Sequence, residues 1–371
     1  MTLGFSEDQR TFRDVVARFL ADKSQPTAVR ELMVTRAGYD AAVWRQLSEE
    51  LGLLGTHLPE QFGGFGYGPV EMGIIAEEMG RFLYCGPFFA SAVMAGYAVL
   101  GAGNEADKLR LLPGIADGST IAALVLDNLN SPDHVGQQIT ANAVADGYQL
   151  SGVASMVVDA QVASVLIVAA ITQQGVSLFE VDPQANGVSI EALEVLDPTR
   201  KLSAVGFTQT PARLLGDAGQ ANLSTLWDSM VTMLAHEMIG GAQALFTSTL
   251  DYMKLRVQFG RAIGSFQSLK HRAADLLLEL ELAKAATHEA ARVLATGKGD
   301  SYAPNMAKAM ASDAYINIAK QAIQLRGGIG FTWEEDTHLW FKRAKSSEVF
   351  LGTSNWHRER MMQQIEETAN V

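Results

Sequence analysis

The run SVLIVAAITQQGVSLFEVD, residues 164–182, holds two short apolar segments on either side of a polar turn. Segments this short, rich in β-branched residues and closed by turn residues, read as strands rather than as buried helix. Moving outward, the same pattern recurs at 120–127, 137–144, 148–154 and 188–195, with no helical stretch between. Asp146-Gly147 is a two-residue hairpin signal between two of these segments. Short strands at this spacing predict a small antiparallel sandwich or barrel, ending near Gly216.

On both sides of the strands the period is helical. Ser6 and Gln9 form a capping-box signal that opens a segment with Phe12, Val15, Val16, Phe19 and Leu20 on one face. Further helices are expected over 41–51 and 70–83, joined by the glycine-rich loop PEQFGGFGYG at 59–68. That loop lacks the Lys and Ser/Thr of a phosphate-binding loop, so it reads as a turn closing two helices. Beyond Asn222 the pattern predicts helices over 223–255, 266–296, 304–326 and 335–350 with a short tail. Pro304 suits a first turn, and Gly327-Gly328 a stop. Gly240-Gly241 inside the first of these helices costs helix propensity, so it predicts close helix packing. The expected fold class is α+β multidomain. An all-helical domain (1–118) leads to a middle antiparallel β-sandwich or barrel (119–217), then a C-terminal four-helix bundle (218–371).

Composition narrows function. With 371 residues, 48% hydrophobic and 19% charged, the chain is neither disordered nor of low complexity. A net charge of −12 disfavours nucleic acid as partner, although a local Arg cluster can still hold an anion. Cys85, the only cysteine, sits in the near-apolar run FLYCGPFF and reads as a buried filler with a free thiol. The start MTLGFSEDQR has no signal pattern, and no apolar stretch is long enough to span a bilayer, so no membrane association and a cytoplasmic setting are expected. No metal-ligand spacing is present, and His271, His338 and His357 are expected to be structural or to face a ligand phosphate.

The segment LRVQFGRAIGSFQSLKHRAADL, 255–276, carries the most chemistry. Arg256 ends one helix, FGRAIGS connects, and Ser265 is expected to cap the next. An inter-helix turn with a cation on a helix C-terminus accounts for Arg256 and Ser265. It does not account for Phe259 and Gln267 flanking a turn with two glycines. A guanidinium, an aromatic ring and an amide at a helix N-terminus also suit a nucleotide pyrophosphate and its base. Spacing alone favours the plain turn.

RVQFGRAIGSFQ (256–267), however, closely resembles the signature of the acyl-CoA dehydrogenase family, and QLRGGIGFTWE (324–334) resembles that family's Gln-x-x-Gly-Gly-x-Gly-Phe segment. LPEQFGG (58–64) and LDPTRKLSAVGF (196–207) match as well, so the resemblance spans essentially the whole chain. It implies FAD as cofactor and α,β-dehydrogenation of an acyl-CoA thioester. Arg256, Phe259, Ile263 and Gln267, with Gln324 and Gly328, would contact the ADP part of an FAD shared across a subunit interface. Thr353 and Asn355 would lie against the FAD of the chain's own site.

The departures fall in one place. Many members carry a catalytic Glu directly before the Gly-Thr turn of SSEVFLGTSNWHRER (346–360), and here that position is Leu351. Others carry a Glu on the first bundle helix, where counting back from Arg256 reaches Met230. Glu348, Asp228 and Glu237 are the substitute candidates, and Glu348 is expected to face solvent. LDNLNSPD (126–133) replaces the usual polar flavin-side segment, and Met156, Val157 and Val158 stand where an indole and hydroxyls are usual. Such losses imply a heterotetramer in which this chain completes the FAD site of a related, catalytically equipped subunit. An electron-transfer flavoprotein is a candidate acceptor. TWEEDTHLWFKRAK (332–345) and His357-Arg358 resemble the steroid-catabolism subgroup. The alternatives are a homo-oligomer with a relocated base, or a non-catalytic acyl-CoA and FAD scaffold.

Overall fold

The computed structural model describes residues 4–145 and 147–369, so Asp146 of the expected hairpin turn lies outside the described residues. Helices α1 (Glu7–Lys23), α2 (Pro26–Met33), α3 (Ala41–Arg45), α4 (Pro69–Arg81), α5 (Gly96–Ala102) and α6 (Glu105–Ala116) come first. Strands β1 (Ala122–Val125), β2 (Ile139–Val144), β3 (Gly147–Val158), β4 (Val165–Thr172), β5 (Gly175–Val181), β6 (Val188–Ala192) and β7 (Leu202–Leu215) follow. The remainder is α7 (Leu223–Leu255), a miniature hairpin of β8 (Val257–Gln258) and β9 (Arg261–Ala262), then α8 (Gln267–Thr296), α9 (Ala303–Arg326), α10 (Thr337–Val349) and α11 (Ser354–Ala369). The order helices, strands, helices is the one the sequence predicts.

The chain divides into two units, one of Arg30–Met72 and Cys85–Met230, the other of α1, Gly73–Tyr84 and the chain from Val231 onward. In the first, β4 pairs with both β2 and β5, and the ring β4-β2-β3-β7-β5 closes as a barrel, with β1 added on β4 and β6 on β7. Five of the seven pairings are antiparallel; β1–β4 and β2–β4 are parallel. Val125, Ile139, Leu150, Leu166, Val168, Phe179, Val205 and Phe207 fill the interior. The 14-residue β7 is central to the ring yet is not among the expected strands. Gly206, Pro211 and a left-handed Gln209 (φ 48°) interrupt its alternation, and its register against β3 shifts at two bulges. Helices of the same unit are tied to the strands by polar contacts. The Asp107 carboxylate accepts from the Gly216 amide (2.9 Å), and the Lys201 ammonium donates to the Met33 carbonyl (2.6 Å). Cys85 is buried, as expected.

In the second unit, the Ser6–Gln9 capping box is formed in both directions at 3.0 and 3.1 Å. Val16 and Leu20 are fully buried, whereas Val15 is 39% exposed and off the packed face. Gly240-Gly241 marks the closest helix contacts. A Cβ on Gly240 would stand 1.8 Å from the Glu77 carbonyl oxygen, and one on Gly80 would stand 1.8 Å from that of Glu237. The glycines therefore let α4 and α7 meet backbone to backbone. Pro304 lies in the first turn of α9, and Gly327 ends it with φ 63°. The expected short tail is instead a 16-residue helix, α11, joined to α9 by the Asn305–Gln364 hydrogen bond. Ser265 does not cap α8. Phe266 holds the N-cap position without a side-chain bond, and the Ser265 hydroxyl donates to the Ala262 carbonyl at 2.7 Å. Among the described residues, no helix is long and apolar enough to cross a membrane.

Candidate functional site

The 256–267 motif folds as a tight hairpin, which sequence periodicity cannot resolve at two residues per strand. Val257 pairs with Ala262 and Gln258 with Arg261, leaving Phe259-Gly260 as the turn with φ of 51° and 75°. Two successive left-handed residues define the primed turn that suits a hairpin's twist, and a phenylalanine there is strained. Its ring is 91% exposed. Arg256 and Gln267 are also exposed, and Gln267 Nε2 lies 2.8 Å from His271 Nε2. α8 has no side-chain cap, and the Leu269 amide turns back to the Phe266 carbonyl at 3.1 Å, which leaves the N–H groups of Gln267 and Ser268 for an external acceptor. Ile263 differs from the rest of the motif, since it packs inward with Met253 and Ala273.

That small cluster also takes in Leu325, which brings the second motif to the first. Gln324 and Gly328 are exposed at the end of α9. Between them Arg326 is buried and binds back into the bundle. It donates to Thr249 Oγ1 (2.8 Å), Ser248 Oγ (2.9 Å) and Glu335 Oε1 (3.0 Å). Arg326 is not among the expected residues; an arginine beside two glycines gives no signal that it is turned inward.

The turn at 351–353 lies toward the other end of α9. Leu351 is fully buried with φ 58°, and Gly352 follows with φ 96°. Left-handed backbone at a branched residue costs about 1–2 kcal/mol and persists only where its surroundings enforce it. Here the enforcement comes from two buried side chains that the sequence does not single out for this role. Lys308 donates to the carbonyls of Gly352 (3.1 Å) and Glu348 (3.3 Å) and to Ser312 Oγ (3.0 Å). Burial pulls its ammonium down to about 7, against the opposing pull of Glu348 and Asp313. His357 Nε2 lies 2.8 Å from the Leu351 carbonyl, and Nδ1 lies 2.7 Å from Asn305 Oδ1. Burial, then the Lys308 charge, hold this imidazole neutral, down to about 3. A neutral ring donates only once, so only one of these two contacts carries an imidazole N–H. Thr353 and Asn355 are exposed on the outer side of the turn, where Thr353 Oγ1 accepts from the Trp356 amide at 3.3 Å.

Lys308 and Gln324 are sixteen positions apart on α9, roughly 24 Å at the α-helical rise. The structure thus gathers Arg256, Phe259, Gln267, Gln324 and Gly328 at one end of this helix and Thr353 and Asn355 toward the other.

None of the substitute bases is presented as a free carboxylate. The Glu348 side chain is only 26% exposed rather than fully solvent-facing, and Lys345 Nζ contacts its Oε2 at 2.5 Å. Glu237 is buried against Arg343 Nη1 at 3.1 Å. Asp228 is half-buried near the start of α7, and Met230 is fully buried. In the barrel unit, Val157 and Val158 are 1% and 2% exposed while Met156 is 45% exposed. The 126–133 segment spends its polar groups internally, with the Asp127 carboxylate accepting from the amides of Gly136 (2.8 Å) and Gln138 (2.5 Å).

Residues 6–119 match the acyl-CoA dehydrogenase N-terminal domain, and residues 227–366 match the acyl-CoA dehydrogenase C-terminal domain. The acyl-CoA dehydrogenase IpdE2 of Mycobacterium tuberculosis is 33% identical over 345 residues, covering 93% of each chain. A solved variant of the steroid ACAD Tcur3481-Tcur3483 superposes with a TM-score of 0.89 at 30% identity over 100% of both chains. Butyryl-CoA dehydrogenase of Megasphaera elsdenii shares the fold, with a TM-score of 0.90 at 23% identity over 98% of this chain and 100% of that one. The chain belongs to the acyl-CoA dehydrogenase family of FAD-dependent oxidoreductases acting on CH–CH donors.

Proposed function

We propose that this chain is one subunit of a hetero-oligomeric acyl-CoA dehydrogenase and completes the FAD site of an unlike, base-bearing partner. One observation carries the proposal. Leu351 and Met230, at the two positions where the family places its base, are both fully buried and apolar, while Arg256, Phe259, Gln267 and Gln324 stand exposed. FAD, when bound, would supply the hydride-accepting chemistry for α,β-dehydrogenation of an acyl-CoA thioester, which also requires a carboxylate to take the α-proton. This chain's own turn offers no such carboxylate.

The residues fit FAD unevenly. Arg256 and the uncapped start of α8 are the donors that a pyrophosphate needs, and Phe259 is an open aromatic face for the base. Gln324 and Gly328 extend the same patch, while Ile263 supports it from beneath. Thr353 and Asn355 would face the chain's own flavin. Met156, Val157 and Val158, however, bring no side-chain hydroxyl or indole to its polar edge, and an unsatisfied buried edge costs ~1–3 kcal/mol per group. The division 1–118, 119–217 and 218–371 is kept as the family's three-part arrangement. A steroid-CoA thioester is the proposed substrate class, supported by the 30% identical steroid enzyme, and an electron-transfer flavoprotein the proposed acceptor. A reducing, cytoplasmic setting is proposed for the heterotetramer, in keeping with a single, buried cysteine, Cys85.

Purified alone, the chain is expected to show little flavin absorbance and no acyl-CoA-dependent reduction of an acceptor dye. Co-expression with a base-bearing relative should yield a yellow, active complex. Stoichiometric flavin and turnover in the isolated chain would sink the proposal. Within the complex, Arg256→Ala removes a charge-assisted bond worth ~1.5–3 kcal/mol, so FAD should dissociate roughly 10- to 100-fold more readily. Unchanged FAD retention by that variant would separate Arg256 from the cofactor.

A further inference from the structure

The sequence shows no metal-ligand spacing, yet three residues far apart in the chain converge inside the second unit. Glu77 on α4, His236 on α7 and His288 on α8 each turn one ligand atom inward, all within 4.8 Å of one another. His288 Nε2 is 3.1 Å from Glu77 Oε2, and His236 Nδ1 is 3.9 Å from the same oxygen. The other carboxylate oxygen, Oε1, is taken by Arg13 Nη2 at 2.6 Å. Arg13 also binds Glu78, which is shared with Arg81, so the surrounding charges are paired among themselves.

His236 makes the cluster more than an ion pair. It is 1% exposed, and among the described residues neither ring nitrogen has a hydrogen-bond partner. Its Nε2 edge is closed by Gly73, where a Cβ would come within 2.6 Å. Its Nδ1 faces the carboxylate from beyond hydrogen-bond range. An imidazole buried with both nitrogens unpaired is unusual, because such a group loses its water contacts without replacing them.

We infer that Glu77 Oε2, His236 Nδ1 and His288 Nε2 form a three-ligand site for a zinc-class divalent cation, tying α4, α7 and α8 together. Two imidazoles and one carboxylate suit Zn(II), Co(II) or Ni(II) better than Mg(II) or Ca(II), which require oxygen ligands. A tetrahedral ion with ~2.1 Å bonds spaces its ligands ~3.4 Å apart. The 3.1 and 3.9 Å separations around Glu77 Oε2 bracket that spacing. Arg13 on Oε1 fixes the carboxylate, as an outer-shell partner does in metal sites. His288 is 25% exposed, which leaves an entry path and an open fourth position on its side. The competing occupant is a proton on His288, giving an imidazolium–carboxylate pair and no metal.

The test uses the full chain, stripped with a chelator and titrated with Co(II) and then Zn(II). One Co(II) per chain is expected, with the visible absorption of four-coordinate cobalt, displaced by Zn(II), and a higher melting temperature in zinc. His288→Ala should weaken Co(II) binding at least tenfold. His288→Gln should do the same while keeping a hydrogen bond to Glu77, which separates lost coordination from lost packing. X-ray absorption of the zinc-loaded parent chain needs no variant and should show two imidazoles in the inner shell. No stoichiometric Co(II) binding, binding undiminished in both variants, or an inner shell without imidazole would each overturn the inference.

Discussion

Gly240→Ala is expected to destabilise the protein by about 3 kcal/mol or more, read as a lowered urea midpoint or melting temperature. Replacing a helical glycine with alanine normally stabilises by ~0.5–1 kcal/mol, so the sign is reversed by packing alone. The new methyl would meet the Glu77 carbonyl oxygen at 1.8 Å, and that oxygen belongs to helix backbone that cannot swing aside. Gly80→Ala meets the Glu237 carbonyl at the same distance and should behave alike. Because both relieve themselves by the same separation of α4 from α7, the double variant should lose less than the sum of the two. Gly101→Ala on α5 is the control. Nothing lies within 4 Å of its added methyl, so it should be neutral or slightly stabilising. A Gly240→Ala protein as stable as its parent would mean that the two helices are not held in backbone contact.

The pH dependence of stability carries the second large effect, through Lys308. In the unfolded chain its ammonium titrates at 10.5, and in the fold burial lowers this to about 7. Between those values the unfolded chain holds a proton that the folded chain has released. Stability therefore rises with pH across this window, is complete above 10.5, and is lost as pH falls to 7. A difference of this size corresponds to about 4–5 kcal/mol across the whole window. Lys308→Met should remove the rise, so the denaturation midpoints of parent and variant at about pH 7, 8.5 and 9.5 should diverge. Parallel profiles would show that the ammonium keeps its charge in the fold. His357, lowered to about 3 from 6.5, acts in the same direction on the acid side, losing its contribution as pH falls through that range.

The helical flanks and the barrel are legible because apolar periodicity and glycine punctuation survive in a single sequence, whereas the 256–267 and 324–334 motifs stand out only through their resemblance to a family signature. What is not legible has identifiable causes. β7 is broken by Gly206, Pro211 and Gln209, so its alternation never runs long enough to stand out. α11 is largely polar, and its hold on α9 rests on Asn305, Gln364 and His357 rather than on an apolar stripe. Lys308, Arg326, Glu77 and His236 escape notice because sequence position says nothing about burial, and for charged residues the ordinary expectation is solvent. Leu351 is conspicuous in the sequence because the family resemblance implies a Glu at that position. Its left-handed backbone, and the lysine and histidine holding it, can be seen only in three dimensions.

The hairpin of β8 and β9 bears on kinetics as well as on ligand chemistry. Its cross-strand pairing and its turn are already formed in the single chain, with Phe259 set outward before anything covers it. A surface that docks there needs no loop to order first, so the entropic cost of association is reduced. Encounter with the proposed partner subunit should then proceed as a rigid-body event with a single-phase association rate.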